Sequence, residues 1–213
     1  MIIGLTGGIA TGKSTVTKYL QNNYHIKIYD ADTYARDAVA PGQPAFAAIR
    51  ERYGAEVLTP TGELNRAWLG ERVFGDVGER RWLESLIHPQ VRRQYERIYA
   101  QTGHREALVV FSIPLLFEAQ MTDLVQQVWV VWCTTGQQQQ RLMARQGLTP
   151  AQAQARVSAQ LPLYLKMWWA DHLLNNAGTY ADLYRQIDIL MARVGGARVA
   201  DQHQGSSIAV GLD

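Results

Sequence analysis

Eight residues near the start of the chain constrain it more than any other stretch. Gly7-Gly8-Ile9-Ala10-Thr11-Gly12-Lys13-Ser14 fits G-x-x-x-x-G-K-[ST] at every fixed position. Before it, Met1 to Thr6 is short, apolar and β-compatible; after it, Val16 and Leu20 recur four apart, as on one helix face. A strand that passes through such a loop into a helix forms a phosphate cradle. Glycines let successive backbone N–H groups turn inward as a nest, and the following helix adds its unpaired N–H groups and positive dipole end. Lys13 supplies a point charge for the β- and γ-oxygens, and the Ser14 hydroxyl is a ligand for magnesium. The expected nucleotide-binding residues are Gly8, Ile9, Ala10, Thr11, Gly12, Lys13, Ser14 and Thr15. The motif specifies a nucleoside triphosphate with magnesium and no particular reaction.

Strands and helices alternate along the rest of the chain. HIKIYDAD reads as a second strand ending in Asp30 and Asp32, ALVVF (107–111) and VWVVW (128–132) as further strands, and HLLNN (172–176) as the last, before a closing helix over 179–194. This order predicts an α/β fold, a parallel sheet with helices on both faces. Helical stretches at 44–53, 65–74 and 79–101 have no convincing strand between them and read as an insertion on one side of the sheet. A second insertion lies at 135–165. Thr135 to Gln138 and Thr149 to Gln152 fit the capping-box spacing, Pro150 suits the first helical position, and Gly147 is a natural stop. This weakly apolar hairpin is expected to move easily. The predicted organisation is one domain over 1–194: core 1–35, 105–134 and 166–194, helical acceptor-binding insertion about 36–104, and lid about 135–165. The tail 195–213 is expected to fray.

Charge narrows the function. Net charge is +2, too small to suggest wholesale nucleic-acid binding. Between Arg66 and Arg105, however, eight arginines face five carboxylates, either a solvated helix face or a wall for a polyanionic ligand. The longest nearly uncharged apolar run, Ala107 to Phe117, is far short of the roughly 20 residues of a membrane span. The N-terminus has no basic segment ahead of an apolar stretch, so no secretion signal is expected. Cys133 is the only cysteine and precludes an internal disulfide. Cytoplasm is the expected compartment, with no nucleic-acid or membrane partner, and a monomer or weak homo-oligomer. No N-K-x-D guanine-reading motif occurs. A basic insertion with a small mobile hairpin suits a P-loop kinase with an acceptor site and a closing lid, since water competes for the γ-phosphoryl group.

The ordered residues resemble one family, dephospho-coenzyme A kinase. LTGGIATGKST at 5–15 is close to its L-T-G-G-I-G-S-G-K-S-T. There follow DADTYAR (30–36), PGQPA (41–45), GELNR (62–66), His88-Pro89, PLLFE (114–118), RLMAR (141–145), A-x-x-R-V with Gln160 (153–160) and AD-x-L-L-N-N-A-G (170–178). The resemblance implies ATP-dependent phosphorylation of the ribose 3′-hydroxyl of dephospho-coenzyme A, with ATP and Mg2+ as cofactors. It implies that Asp32 orients or deprotonates that hydroxyl and that Arg141 and Arg145, four apart on one helix face, close over the triphosphate with Lys13. Arg36 and His88 are implied on the acceptor side and Asn176 beside adenine. Asp30, two residues from Asp32, is expected on the opposite side of an extended segment, as a helix cap or loop hydrogen bond. Trp168 and Trp169 read as core or hinge packing, and His88-Pro89 as a helix break with histidine at the cap.

Two residues depart from the family pattern. Ala10 stands where the family usually has glycine, and Ser112 where it often has an aspartate before I-P-L-L-F-E, so water, Asp32 or Glu118 must complete the magnesium shell. Two alternatives stay open: another small P-loop kinase, for a nucleoside monophosphate, shikimate or gluconate, and a regulatory nucleotide-binding module without turnover.

Overall fold

The first strand, β1 (Ile2–Gly7), is buried along its whole length, which requires cover on both faces. In the computed structural model, which describes residues 1–102 and 108–195 apart from the Phe74 side chain, β1 is the middle of five strands. The expected tail lies outside these residues, apart from Gly195. The sheet also contains β2 (Lys27–Asp30), β3 (Val109–Ser112), β4 (Gln127–Trp132) and β5 (His172–Asn175), in the order β2-β3-β1-β4-β5. β1 runs parallel to β3 and β4, and β4 parallel to β5. Crossovers between parallel strands need helices, and the chain supplies them.

Alternation along β1 decides which helix meets which face. Ile3 and Leu5 join Val16, Leu20 and Tyr24 of α1 (Lys13–Tyr24) and Leu183, Ile187, Leu190 and Met191 of α9 (Tyr180–Arg193) in one core. On the opposite side Gly4 approaches Leu116 and Val125 so closely that a Cβ would sit 3.0–3.2 Å from them. Three further helices, α6 (Thr135–Gln146), α7 (Pro150–Ser158) and α8 (Leu163–Trp168), fill the interval between β4 and β5.

The described residues fall into two compact units, 1–29 with 108–195, and 30–102. The second is helical: α2 (Ala31–Ala38), α3 (Pro44–Tyr53), α4 (Arg66–Gly75) and α5 (Val77–Thr102). Val39, Phe46, Ile49, Val57, Leu69 and Val73 form its core. The helical stretches expected at 44–53, 65–74 and 79–101 are thus present within two residues. The expected break at His88-Pro89 is not: α5 runs through Pro89, and His88 is half-buried in its interior instead of capping an end. Proline removes one backbone hydrogen bond, but both halves of α5 are anchored, Leu83, Leu86 and Ile87 on the core before it, Val91, Tyr95 and Ile98 buried after it.

Candidate active site

The loop between β1 and α1 is shaped from outside. Thr11 N–H and Oγ1 both donate to the Gly8 carbonyl, at 3.3 and 2.8 Å, closing a tight turn. Gly12 takes φ 101° and caps α1, and an added Cβ would lie 2.0 Å from Asn176 Nδ2. Only glycine can combine that backbone with that approach. Ala10 also lies in the left-handed region, at φ 59°, which costs an L-residue about 1–2 kcal/mol. The departure from glycine noted in the sequence is therefore a strained one.

Side chains distant in sequence hold the loop's carbonyls. Gln138 Nε2 donates to Ile9 O and Asn176 Nδ2 to Thr11 O, both at 2.7 Å. The Arg141 guanidinium donates to Asn176 O at 2.9 Å and, at 3.4 Å, to Ala10 O and Thr11 O. In return the Ile9 N–H donates to Gln160 Oε1 at 2.7 Å. Lys13 Nζ donates to Ser112 Oγ at 2.5 Å, Ser14 is exposed at the head of α1, and Thr15 is half-buried. Of the residues singled out in the sequence, the structure thus gathers the loop, Arg141 and Asn176. Arg145, one turn beyond Arg141, is exposed, because only the earlier turn of α6 lies against the loop. The capping box of α6 begins one residue earlier than the spacing suggested, at Thr134 with Gln137, whereas Thr149 with Gln152 and the Gly147 stop lie as expected.

Glu118, one of the groups weighed for the metal, commits one carboxylate oxygen to a lysine and a backbone N–H, while its Oε2 is buried without a hydrogen-bond partner among the described residues. Its Oε1 lies 2.7 Å from Nζ of Lys166, a lysine with no exposed side-chain surface, and accepts the Leu161 N–H at 3.1 Å. Lys166 also donates to the Pro114 carbonyl at 3.1 Å. Among the described residues no group of three His, Cys, Asp or Glu side chains could hold a metal ion. A cavity of about 520 Å³ opens beside Gly8, lined by Cys133, Gln138, Gln160, Tyr164 and Met167. Burial pushes the Cys133 thiol up, against the lowering effect of the Arg141 charge. Trp168 and Trp169 are not core residues; they are 84% and 50% exposed, Trp169 tilted against Phe117.

In the helical unit Asp30 caps α2, its Oδ1 accepting the Asp32 N–H at 2.8 Å. Asp32 is therefore not in an extended segment: it stands exposed in the first helical turn, where a carboxylate suits the helix dipole. Arg36 follows one turn later, also exposed, its carbonyl accepting from Arg66 at 3.4 Å. Tyr95 is fully buried beneath this turn; burial first, then Asp30, Tyr34 and Asp32, pushes its phenol far above the ordinary range. A second cavity, about 420 Å³, is lined within this unit by Tyr34, Asp37, Gln43, Gln90, Arg93 and Arg97. The sequence marks Gln138 only as a capping-box residue, a role that Gln137 takes, and does not mark Lys166 as functional. Four consecutive glutamines, 137–140, conceal which one turns inward, and Lys166 stands out only as one of four lysines in the chain.

Known proteins resemble this arrangement. A family model described as dephospho-CoA kinase matches residues 1–182. A dephospho-CoA kinase from Synechocystis sp. is 54% identical over 186 residues, 87% of this chain and 92% of its own. One from Trichormus variabilis is 52% identical over 190 residues, 89% and 96% of the two chains. Among solved structures, TT1252 from Thermus thermophilus superposes with a TM-score of 0.72 at 32% identity, covering 91% of this chain and 97% of that one. A dephospho-CoA kinase from Campylobacter jejuni shares the fold, with a TM-score of 0.67 at 24% identity over 91% and 96% of the chains.

Proposed function

The chain belongs to the dephospho-CoA kinase family, and from that premise we propose that it transfers the γ-phosphoryl group of ATP to the ribose 3′-hydroxyl of dephospho-coenzyme A. The observation that carries the reading is the P-loop, held open by Gln138, Arg141 and Asn176 in a chain about half identical to kinases of that name.

Transfer requires the hydroxyl oxygen to attack phosphorus in line as the bond to the β–γ bridging oxygen breaks, releasing ADP. Lys13, at the start of α1, would neutralise charge on the β- and γ-oxygens. Asp32, exposed in the first turn of α2, would orient the hydroxyl and take its proton. Arg145 lies on the exposed part of α6 and would stabilise charge on the transferred group, while Arg141 keeps the loop in shape. Arg36 and His88 belong to the helical unit and would serve the acceptor; Asn176, beside the loop, would border the nucleotide. The donor set suits a magnesium ion that arrives with the nucleotide: Ser14 offers one hydroxyl, and phosphate oxygens and waters are the customary remaining ligands. Such an ion, held by Ser14, would supply neutralisation of the phosphate charge during transfer. No described helix is long and apolar enough to cross a membrane.

The test is to incubate the protein with ATP, magnesium and dephospho-coenzyme A and to identify the product by mass and phosphorus NMR. A new phosphomonoester on the ribose 3′-oxygen is expected. ATP consumption only with a nucleoside monophosphate, shikimate or gluconate would overturn the acceptor assignment.

A further inference from the structure

Two glutamines from the two ends of the 135–160 segment meet on one residue of the P-loop. Gln138, 2% exposed, donates to the Ile9 carbonyl, and Gln160 accepts from the Ile9 N–H, each at 2.7 Å. The pair is chemically polarised: one side chain must donate and the other must accept. On α6, a polar helix, Gln138 and Leu142 are the buried residues, and a primary amide is buried at a cost unless it is bonded.

A trans peptide sets its C=O and N–H in opposite directions. Holding the Ile9 carbonyl outward therefore turns the Ala10 N–H inward, and Asn176 on the Thr11 carbonyl does the same for the Gly12 N–H. These are nest donors of the kind that receive phosphate. The Ile9 carbonyl belongs to the peptide that enters Ala10, whose left-handed backbone an alanine resists. Such backbone persists where the surroundings over-determine it.

We propose that Gln138 and Gln160 are positioning residues that hold the two peptides flanking Ile9, Gln160 the Gly8–Ile9 N–H and Gln138 the Ile9–Ala10 carbonyl, so that the Ile9–Ala10 peptide keeps its phosphate-receiving orientation and the hairpin is joined to the P-loop. The inference rests on the reading of this loop as the ATP site. Removing either amide leaves the carbonyl or N–H of Ile9 short of its partner, and the loop relaxes away from the conformation that Ala10 disfavours.

A non-hydrolysable ATP analogue with magnesium is titrated calorimetrically into the wild type, Gln138→Met, Gln160→Met and the double variant. Each single variant is expected to bind about 10-fold more weakly, the cost of one buried group left unpaired. KM for ATP should rise by the same factor, with kcat at saturation changed no more than about threefold. The double variant should lose no more than about threefold beyond the weaker single, because both glutamines act on one residue. Adding Ala10→Gly should restore most of the affinity, since glycine takes the left-handed backbone without strain; a merely structural role would not respond to it. Gln140→Met, exposed on the same helix, is the unchanged control. Binding within twofold of wild type in both folded single variants overturns the proposal, as does a loss that Ala10→Gly leaves untouched. Should Gln138→Met fail to fold, Gln160→Met with and without Ala10→Gly decides alone. A wild type that fails to bind the analogue sinks the ATP-site reading itself, a separate outcome.

Discussion

The sheet unit and the helical unit treat polar groups in opposite ways. Every buried polar or charged residue among those described, Thr6, Thr11, Thr17, Ser112, Gln138, Lys166 and Asn176, belongs to the sheet unit. Most hold loops or carbonyls far away in sequence, as Asn176 does Thr11 and Lys166 does Pro114. The helical unit buries apolar side chains and keeps its charges outside. Its Arg52 reaches Glu79 at 2.7 Å across exposed surface, with Tyr53 donating to the same carboxylate. A triphosphate presents a fixed charge pattern, and a loop preset by buried hydrogen bonds meets it without reorganising. Exposed charges on long side chains give adaptable recognition and contribute little to stability.

The largest way to break the contrast is at the cradle. Lys13→Ala is expected to abolish nearly all phosphoryl transfer, about 10³-fold or more, with an unchanged circular dichroism spectrum; turnover within a few-fold of wild type would refute the nucleotide assignment. In the helical unit Asp32→Asn should lower kcat about 10²–10⁴-fold while calorimetry still shows ATP binding, and retained turnover would remove Asp32 from the chemistry. Arg145→Ala should cost about 10³-fold in kcat. A rise in acceptor KM at unchanged kcat would reassign that arginine to acceptor binding.

Stability sharpens the same comparison. Glu118→Ala strands the fully buried Lys166 and should destabilise by about 3–5 kcal/mol in denaturant titration, with Glu118→Ala/Lys166→Met recovering much of the loss. The exposed counterpart should have the smallest effect. Hydrogen bonds from Arg52 and then Tyr53 hold the Glu79 carboxyl below its ordinary range. A depressed carboxylate stabilises the fold above its unfolded pKa, and that contribution is lost as pH falls through the folded value. Acidification below about pH 4 should therefore lower the melting temperature of the wild type slightly more than that of Glu79→Gln. An equal or larger fall in the variant would show that the pair contributes nothing.

Local patterns were legible in the sequence wherever the cause was local. The strand–loop–helix of residues 2–24, the strands at 109–112 and 127–132, and the Thr149–Gln152 capping box all follow from residues a few positions apart. Misreadings arose where tertiary packing overrode a local preference. Pro89 should end a helix, yet α5 continues because its apolar residues are anchored on both sides. Of the core or hinge packing expected for Trp168, the core half fails: it ends α8 on the surface. Asp30 is extended and caps a helix, as its position suggests, but that cap starts the helix at once and places Asp32 in its first turn, out of the extended segment expected for it.

The sequence by itself determined that a phosphate loop stands between a buried strand and a helix, because glycine, lysine and serine at fixed spacing carry that chemistry in their own backbone and side chains. Only the tertiary structure decided what holds the loop. Gln138, Gln160, Arg141 and Asn176 lie more than 125 residues from the loop peptides they bind, and one glutamine in a run of four differs from its neighbours only by the direction in which the folded helix points it.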